Sequence, residues 1–267
     1  MAEDDVIREQ TDDGVVVLTL NRPQTLNALN DAIADAIMAA CRDSKRDNSI
    51  RCIVITGNGR GFCSGADLSS GGPAREGGTA RGRSEVANKW GRAGDLITSM
   101  AEADVPVIGA INGAAAGAGF GLALSCDVRI ASDQARMGSV FIKRGIASDN
   151  AVAFWLPRLV GLAKAYELMY TGDLMNADEA LKLGLVNRIV PQESLLDETM
   201  AFARLIASGP PLAYTYTRRQ LMRAFNEDLR SFLEFEWTLQ SEVLASADAR
   251  EGFRAFAEKR KPEFTGM

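Results

Sequence analysis

The chain has 267 residues, 46% of them hydrophobic and 24% charged, a balance that supports one large domain with a sizeable core. Its formal net charge of -5 excludes a general attraction to nucleic acid or to an anionic membrane surface. Histidine is absent, which excludes Ser-His-Asp and Cys-His catalysis in their usual forms and any zinc or iron site built on imidazole.

No apolar run approaches the roughly 18 residues of a membrane helix, and the opening residues MAEDD are acidic where a secretory leader would be basic. Cys41, Cys52, Cys63 and Cys126 show no CxxC spacing and read as reduced, buried thiols. Together these features lead us to expect a cytoplasmic protein. No internal repeat and no GxxxxGK[ST] run is visible, and Gly117, Gly119 and Gly121 do not make a dinucleotide-binding GxGxxG.

Residues 6–10 and 14–20 read as two short strands around the turn residues 11–14, with Pro23 ending the second. From Asn30, a suitable cap, Ile33, Ala34, Ile37, Met38 and Cys41 fall on one face of a helix reaching about Arg42. Residues 50–56 form a buried strand that feeds a Gly/Ser-rich loop at 57–68. Strand, helix and strand in that order place this loop at the carboxyl end of a sheet, where open α/β sheets collect ligands.

Residues 69–84 lack periodicity and read as a loop, and a helix is expected from Glu85 to about Ala103, with Trp90 on its apolar side. Residues 105–111 supply the next strand. The run IGAINGAAAGAGFGLALSCD (108–127) then reads as a strand, a tight small-residue turn and a helix start with apolar spacing resuming at Leu122. Such a turn brings backbone amides close to an oxygen carrying negative charge. Residues 128–131 and 136–138 add two short strands. Beyond Asp149 the pattern is helical at 150–160, 162–170, 176–183, 193–208 and 210–260, with Pro210 and Pro211 marking a change of direction. Residues 232–240 carry large apolar side chains on more than one face, as in a helix packed between two partners.

Six segments stand in a telling order: LNRPQTLNAL (20–29), IVITGNGRGFCSGADL (53–68), VPVIGAING through CD (105–127), LPRLVG (156–161), ADEALKLGLV (177–186) and FAEKRKP (256–262). Along almost its whole length the chain resembles the crotonase superfamily, the enoyl-CoA hydratase/isomerase family. The resemblance implies an α/β fold of crotonase-like repeated ββα units forming an open sheet over residues 1–200, followed by a helical C-terminal trimerisation region over 201–267. It implies an acyl-CoA thioester as substrate, no separate cofactor, and homotrimers often paired as hexamers.

By the same resemblance the backbone amides of Ala66 and Ala118 hold the thioester oxygen as it gains charge. The backbone of Ala66, Asp67, Leu68 and Ser69 holds the adenine end of CoA. Arg22, Gln24 and Lys259 stand near its phosphates, Gln24 where many relatives carry lysine. Ala28, Gly117, Gly121 and Phe141 complete the expected substrate-binding set.

The pattern departs from that of a hydratase at two positions. Relatives that hydrate enoyl-CoA use two glutamates, and the matching positions here are Gly121 and Phe141. Neither residue can take a proton from water or deliver one to carbon. Asp149, four residues after Gly145, looks like the catalytic aspartate of dienoyl-CoA isomerases and the nucleophilic aspartate of 4-chlorobenzoyl-CoA dehalogenases, although the latter also use a histidine.

Two readings of Asp149 stand side by side: a catalytic acid whose proton affinity is set by an apolar wall of Phe141, Phe154 or Trp155, and a helix cap. Glu85, Lys89 and Trp90 border the acyl pocket in relatives, and an exposed helical face accounts for them as well. The sequence favours isomerisation, hydrolysis or C–X cleavage through Asp149 over simple hydration. A CoA-binding or assembly protein that keeps the fold without the chemistry is the alternative.

Overall fold

The computed structural model describes residues 4–67 and 88–267. Strand β1, Val6–Gln10, pairs antiparallel with β2, Val15–Leu20, through a turn in which the Gly14 amide donates to the Thr11 carbonyl at 3.0 Å. From β2 onward the sheet is parallel. Strands β3 (Cys52–Gly57), β5 (Val107–Ile111), β7 (Val128–Ser132) and β10 (Arg188–Val190) follow in the spatial order β1-β2-β3-β5-β7-β10. A second sheet has the order β4-β6-β8-β9 and comprises β4 (Gly61–Cys63), β6 (Ala114–Ala116), β8 (Arg136–Gly138) and β9 (Met175–Asn176).

The large sheet is covered on both sides, which explains why its strands read as unbroken apolar runs rather than as alternations. Val16, Leu18, Ile53, Ile55, Val107 and Ile111 belong to the main core. Their neighbours Val15, Val17, Cys52, Val54, Ile108 and Ala110 point the other way, into a second core closed by Leu195, Met200, Ala203 and Ala207. Period-two geometry assigns each residue to one of the two cores.

The helices are α1 (Asp31–Asp43), α2 (Gly91–Ala101), α3 (Ala118–Leu124), α4 (Val152–Val160), α5 (Leu162–Thr171), α6 (Ala177–Lys182), α7 (Leu195–Ala207), α8 (Pro211–Arg223), α9 (Leu229–Ala245) and α10 (Ala247–Glu258). Asn30 caps α1 by accepting from the Ile33 amide at 3.0 Å, and Ile33, Ala34, Ile37, Met38 and Cys41 are its buried face, as their spacing predicts. Helix α7 crosses residue 200 and supplies one wall of the second core, so the change of direction falls at Pro210 and Pro211.

Three features depart from expectation. β4, β6, β9 and β10 have two or three residues each, too few to show a period in sequence. The Gly/Ala run after Asn112 holds strand β6, and α3 begins at Ala118 with its apolar spacing resuming at Leu122 as expected. Trp90 is 70% exposed at the start of α2 instead of packed on its apolar side. The first part of the helix expected from Glu85 lies outside the described residues.

The C-terminal helices are pinned to the sheet by one buried cation. Arg218 on α8, its side chain 9% exposed, grips Asp127 with Nε–Oδ2 2.7 Å and Nη2–Oδ1 3.1 Å, and it also donates to the Met100 and Ala103 carbonyls. Asp127 in turn accepts from the Val107 amide at 2.7 Å. Removing one partner of such a pair leaves the other charge and its acceptors uncompensated. Arg218→Ala is therefore expected to cost about 3 kcal/mol. Denaturant titration measures this, and a loss below about 1 kcal/mol would mean water replaces the guanidinium.

Candidate active site

The loop after β3 is held by two buried asparagines. Asn27, in left-handed backbone at φ 57, donates to the Asn58 and Gly61 carbonyls at 2.9 and 2.7 Å and accepts from the Arg22 amide at 2.8 Å. Asn112, just after β5, accepts from the Gly57 amide at 3.1 Å and donates to Gly59 and Gly61 at 2.9 and 3.1 Å. Both side chains thus converge on the Gly61 carbonyl and fix where β4 starts.

Beyond β4, the Leu29 amide donates to the Gly65 carbonyl at 2.7 Å, and the Asp67 amide donates to the Leu29 carbonyl at 2.9 Å. In such a parallel bridge the residue between, Ala66, turns its own N–H to the opposite side. Ala118 is the first residue of α3, so its N–H has no acceptor within the helix. The two loops touch through glycines. A side chain at Gly119 would begin 1.9 Å from the Cys63 carbonyl oxygen, and one at Gly65 would lie 3.0 Å from the Ala116 oxygen and 3.8 Å from the Ala118 nitrogen.

Ala66 and Ala118 line two cavities at once. The larger, about 480 Å³, also holds Leu29, Leu96, Asp67, Asp149 and Asn150. The smaller, about 60 Å³, holds Gly65, Gly117, Phe141 and Ile146. Sequence expectation and geometry therefore bring Ala66, Asp67, Ala118 and Asp149 together, with Gly117 and Phe141 on the adjoining side.

Asp149 does not cap a helix. The cap residue of α4 is Ala151, with no side-chain bond to the helix, and it is the Asp149 backbone carbonyl that accepts from the Val152 amide at 3.1 Å. Its exposed carboxylate accepts from Asn150 Nδ2 at 2.7 Å. The expected aromatic wall is elsewhere. Phe154 and Trp155 line a separate cavity near α8, Trp155 donating to Ser125 Oγ at 3.0 Å, and Phe141 faces the smaller cavity.

Of the three carboxylates that line the larger cavity among the described residues, two are committed to arginines. Asp67 Oδ2 lies 2.7 Å from Arg22 Nη2, and Asp31 lies 2.6 Å from Arg92, which also reaches Asp35 at 2.7 Å. Asp149 has no arginine partner among the described residues. The thiols supply no competing base, because burial pushes Cys63 up to about 11 and Cys126 up to about 12.

The remaining expected residues are dispersed. Arg22 is mostly buried and donates to the Ala28 carbonyl at 2.7 Å as well as to Asp67, tying the first motif to the second. Gln24 is exposed on a 3-10 turn, Pro23–Thr25. Lys259 is the exposed residue that ends α10, and it lines neither cavity. Leu68 and Ser69 lie outside the described residues. Gly121 is buried, and a side chain there would begin 2.4 Å from the Asn150 carbonyl oxygen. Asn27, Asn112 and Asn150 were not singled out from sequence. A polar residue set between apolar ones in Leu26-Asn27-Ala28 and Ile111-Asn112-Gly113 is the signal that marks the first two.

A family model described as enoyl-CoA hydratase/isomerase matches residues 10–267. A probable enoyl-CoA hydratase of Rhodobacter capsulatus is 37% identical over 97% of this chain and 98% of its own length. A 1,2-epoxyphenylacetyl-CoA isomerase of Escherichia coli is 36% identical over 97% and 98%. Among solved structures, a putative enoyl-CoA hydratase from Streptomyces coelicolor superposes with a TM-score of 0.90 at 32% identity, over 100% of this chain and 96% of that one. With its two-sided parallel sheet, its paired amide loops and these likenesses along its full length, the chain belongs to the enoyl-CoA hydratase/isomerase family of the crotonase superfamily and is an enzyme of that family.

Proposed function

We propose that the enzyme isomerises an acyl-CoA thioester by a proton shift through Asp149, with the Ala66 and Ala118 amides holding the thioester oxygen. The observation that carries this reading is Asp149, the one carboxylate without an arginine partner among the described residues that line the cavity of the two amides. Asp149 takes a proton from the carbon next to the thioester carbonyl, the electron pair moves onto the oxygen, and the enolate charge falls between the two amides. The new carboxylic acid then returns the proton to the far carbon of the allylic system, so the double bond moves and no atom is gained or lost. One preorganised donor of this kind contributes about 2.7 to 4 kcal/mol in the transition state.

Hydration needs a second proton-handling group. The two positions where hydratase relatives place glutamates are Gly121, with no room for a side chain, and Phe141. A panel of crotonyl-, 3-enoyl-, dienoyl- and aryl-CoA thioesters tests it: double-bond migration is expected to be the fastest reaction, and rapid hydration of crotonyl-CoA would reject the reading. Absence of turnover across the panel would favour a CoA-binding role.

Within the CoA site, Arg22 and Asp67 act as one bonded pair, with Gln24 and Lys259 reaching the phosphates from outside the cavity. We assign the protein to the cytoplasm, where its four buried, reduced thiols are at home. Among the described residues no helix is long and apolar enough to cross a membrane.

We also propose self-association into a homotrimer or a dimer of trimers. Leu229, Leu233 and Trp237 form an exposed stripe at four-residue spacing on α9, and Phe225, Phe253 and Phe256 are exposed as well. An exposed apolar stripe of this kind marks an interface. Light scattering of the purified protein is expected to give three or six times 28.7 kDa, and a monomeric mass would reject this assignment.

A further inference from the structure

Asn150 is buried, 5% exposed, and follows Asp149 directly. It has φ 47, and the next residue, Ala151, has φ 55, so two successive non-glycine residues are left-handed just before α4. Asparagine tolerates that region and alanine does not, and strained pairs of this kind persist only where their surroundings over-determine them. The bend folds the side chain back, and Nδ2 donates to Asp149 Oδ1 at 2.7 Å. The other carboxylate oxygen, Oδ2, has no protein partner among the described residues.

Two further observations show that Asn150 is fitted to this place. Its carbonyl oxygen and Cβ lie 2.4 and 2.6 Å from where a Cβ on Gly121 would be, so glycine at 121 is what admits it. Its own Oδ1 is buried with no donor among the described residues. An orphaned buried acceptor is costly. Turning the amide over would set oxygen against the carboxylate oxygen, so the cost is borne in the one orientation that donates to Asp149.

We infer that Asn150 is a positioning residue: it holds Asp149 Oδ1 so that Oδ2 is presented to the acyl group, and Gly121 with Asn150 forms a unit in which the space of a side chain on residue 121 is given to the holder of the aspartate. This rests on the proposed role of Asp149 as the proton carrier. The unit ties the absence of a carboxylate at 121 to the presence of one at 149.

The test uses backbone and amide separately. Asn150→Gly keeps the left-handed bend, which glycine adopts freely, and removes only the amide. It is expected to lower kcat on the best thioester of the panel by about tenfold to a hundredfold, the range of a lost hydrogen bond to a charged group, with KM changed less than about twofold and the melting temperature retained. Asn150→Asp preserves the shape and faces the carboxylate with a second one, and a comparable or larger loss is expected. In an Asp149→Ala background Asn150→Gly is expected to have no further effect, because its partner is gone.

Wild-type kcat in Asn150→Gly or in Asn150→Asp would overturn the inference, as would equal proportional losses in both backgrounds. If Asp149→Ala alone is impaired and Asn150→Gly is not, only the inference fails. If Asp149→Ala turns over normally, the functional reading and the inference fall together.

Discussion

Asp149→Ala is expected to slow isomerisation by about a hundredfold to ten-thousandfold, the usual share of a positioned acid–base group, and to leave acyl-CoA affinity unchanged. The size of the effect follows from what remains in the cavity. Asp67 and Asp31 are held by Arg22 and Arg92, so neither can turn toward a substrate without breaking an ion pair. No imidazole exists anywhere in the chain, and the Cys63 thiol, whose residue packs against Gly119, is pushed up to about 11 by burial. Affinity is retained because the two amides proposed to meet the thioester oxygen belong to loops fixed from elsewhere. Steady-state kinetics with calorimetry on the same preparation makes the distinction. A loss of less than about tenfold would remove Asp149 from the chemistry, and a parallel loss of binding would make it part of the CoA site instead.

Ala118→Pro is expected to lower kcat by about a hundredfold to a thousandfold, the effect of deleting one oxyanion donor. A backbone donor cannot be truncated by ordinary mutation, but its position makes this one accessible. Ala118 is the first residue of α3, where proline is well tolerated, and Gly117 before it accommodates the restriction that a following proline imposes. The ring replaces the N–H and fills the space that the substrate oxygen enters. Ala118→Gly keeps the amide and is expected to stay within a few-fold of wild type, so the pair separates the donor from the methyl group. Unchanged melting temperatures, with turnover lost in the proline variant alone, are the anticipated result. Wild-type turnover in Ala118→Pro would exclude that amide from the mechanism.

The sequence exposed the elements that have a period. The hairpin, α1 with its Asn30 cap, the buried parallel strands and the helices after residue 150 all repeat at two or at about 3.6 residues over a sufficient length. Of the second sheet it exposed only β8, at 136–138; β4, β6 and β9, two or three residues each, carry no pattern and exist through pairing with distant partners. The positions of Ala66, Ala118 and Asp149 came from motif resemblance. Their meeting in one cavity depends on β4 and α3 being pressed together at Gly65 and Gly119, a contact between segments more than 50 residues apart. The asparagines stayed hidden for a related reason: an amide side chain looks the same in sequence whether it faces solvent or bridges two backbone segments.

The convergence of Asn27 and Asn112 on the Gly61 carbonyl has a consequence for how this enzyme can change. The segment that leads to Ala66 is braced at Gly61 by two side chains, Asn27 and Asn112, that line neither cavity of the amide pair. Under the proposed function, electrophile activation and substrate choice then draw on different side chains. Side chains such as Leu29, Leu96 or Ile146 can be exchanged to admit a bulkier or slimmer acyl group while the amide pair keeps its spacing. In directed evolution the productive changes should gather on the acyl-facing wall, and the two bracing asparagines should resist replacement whatever the substrate selected.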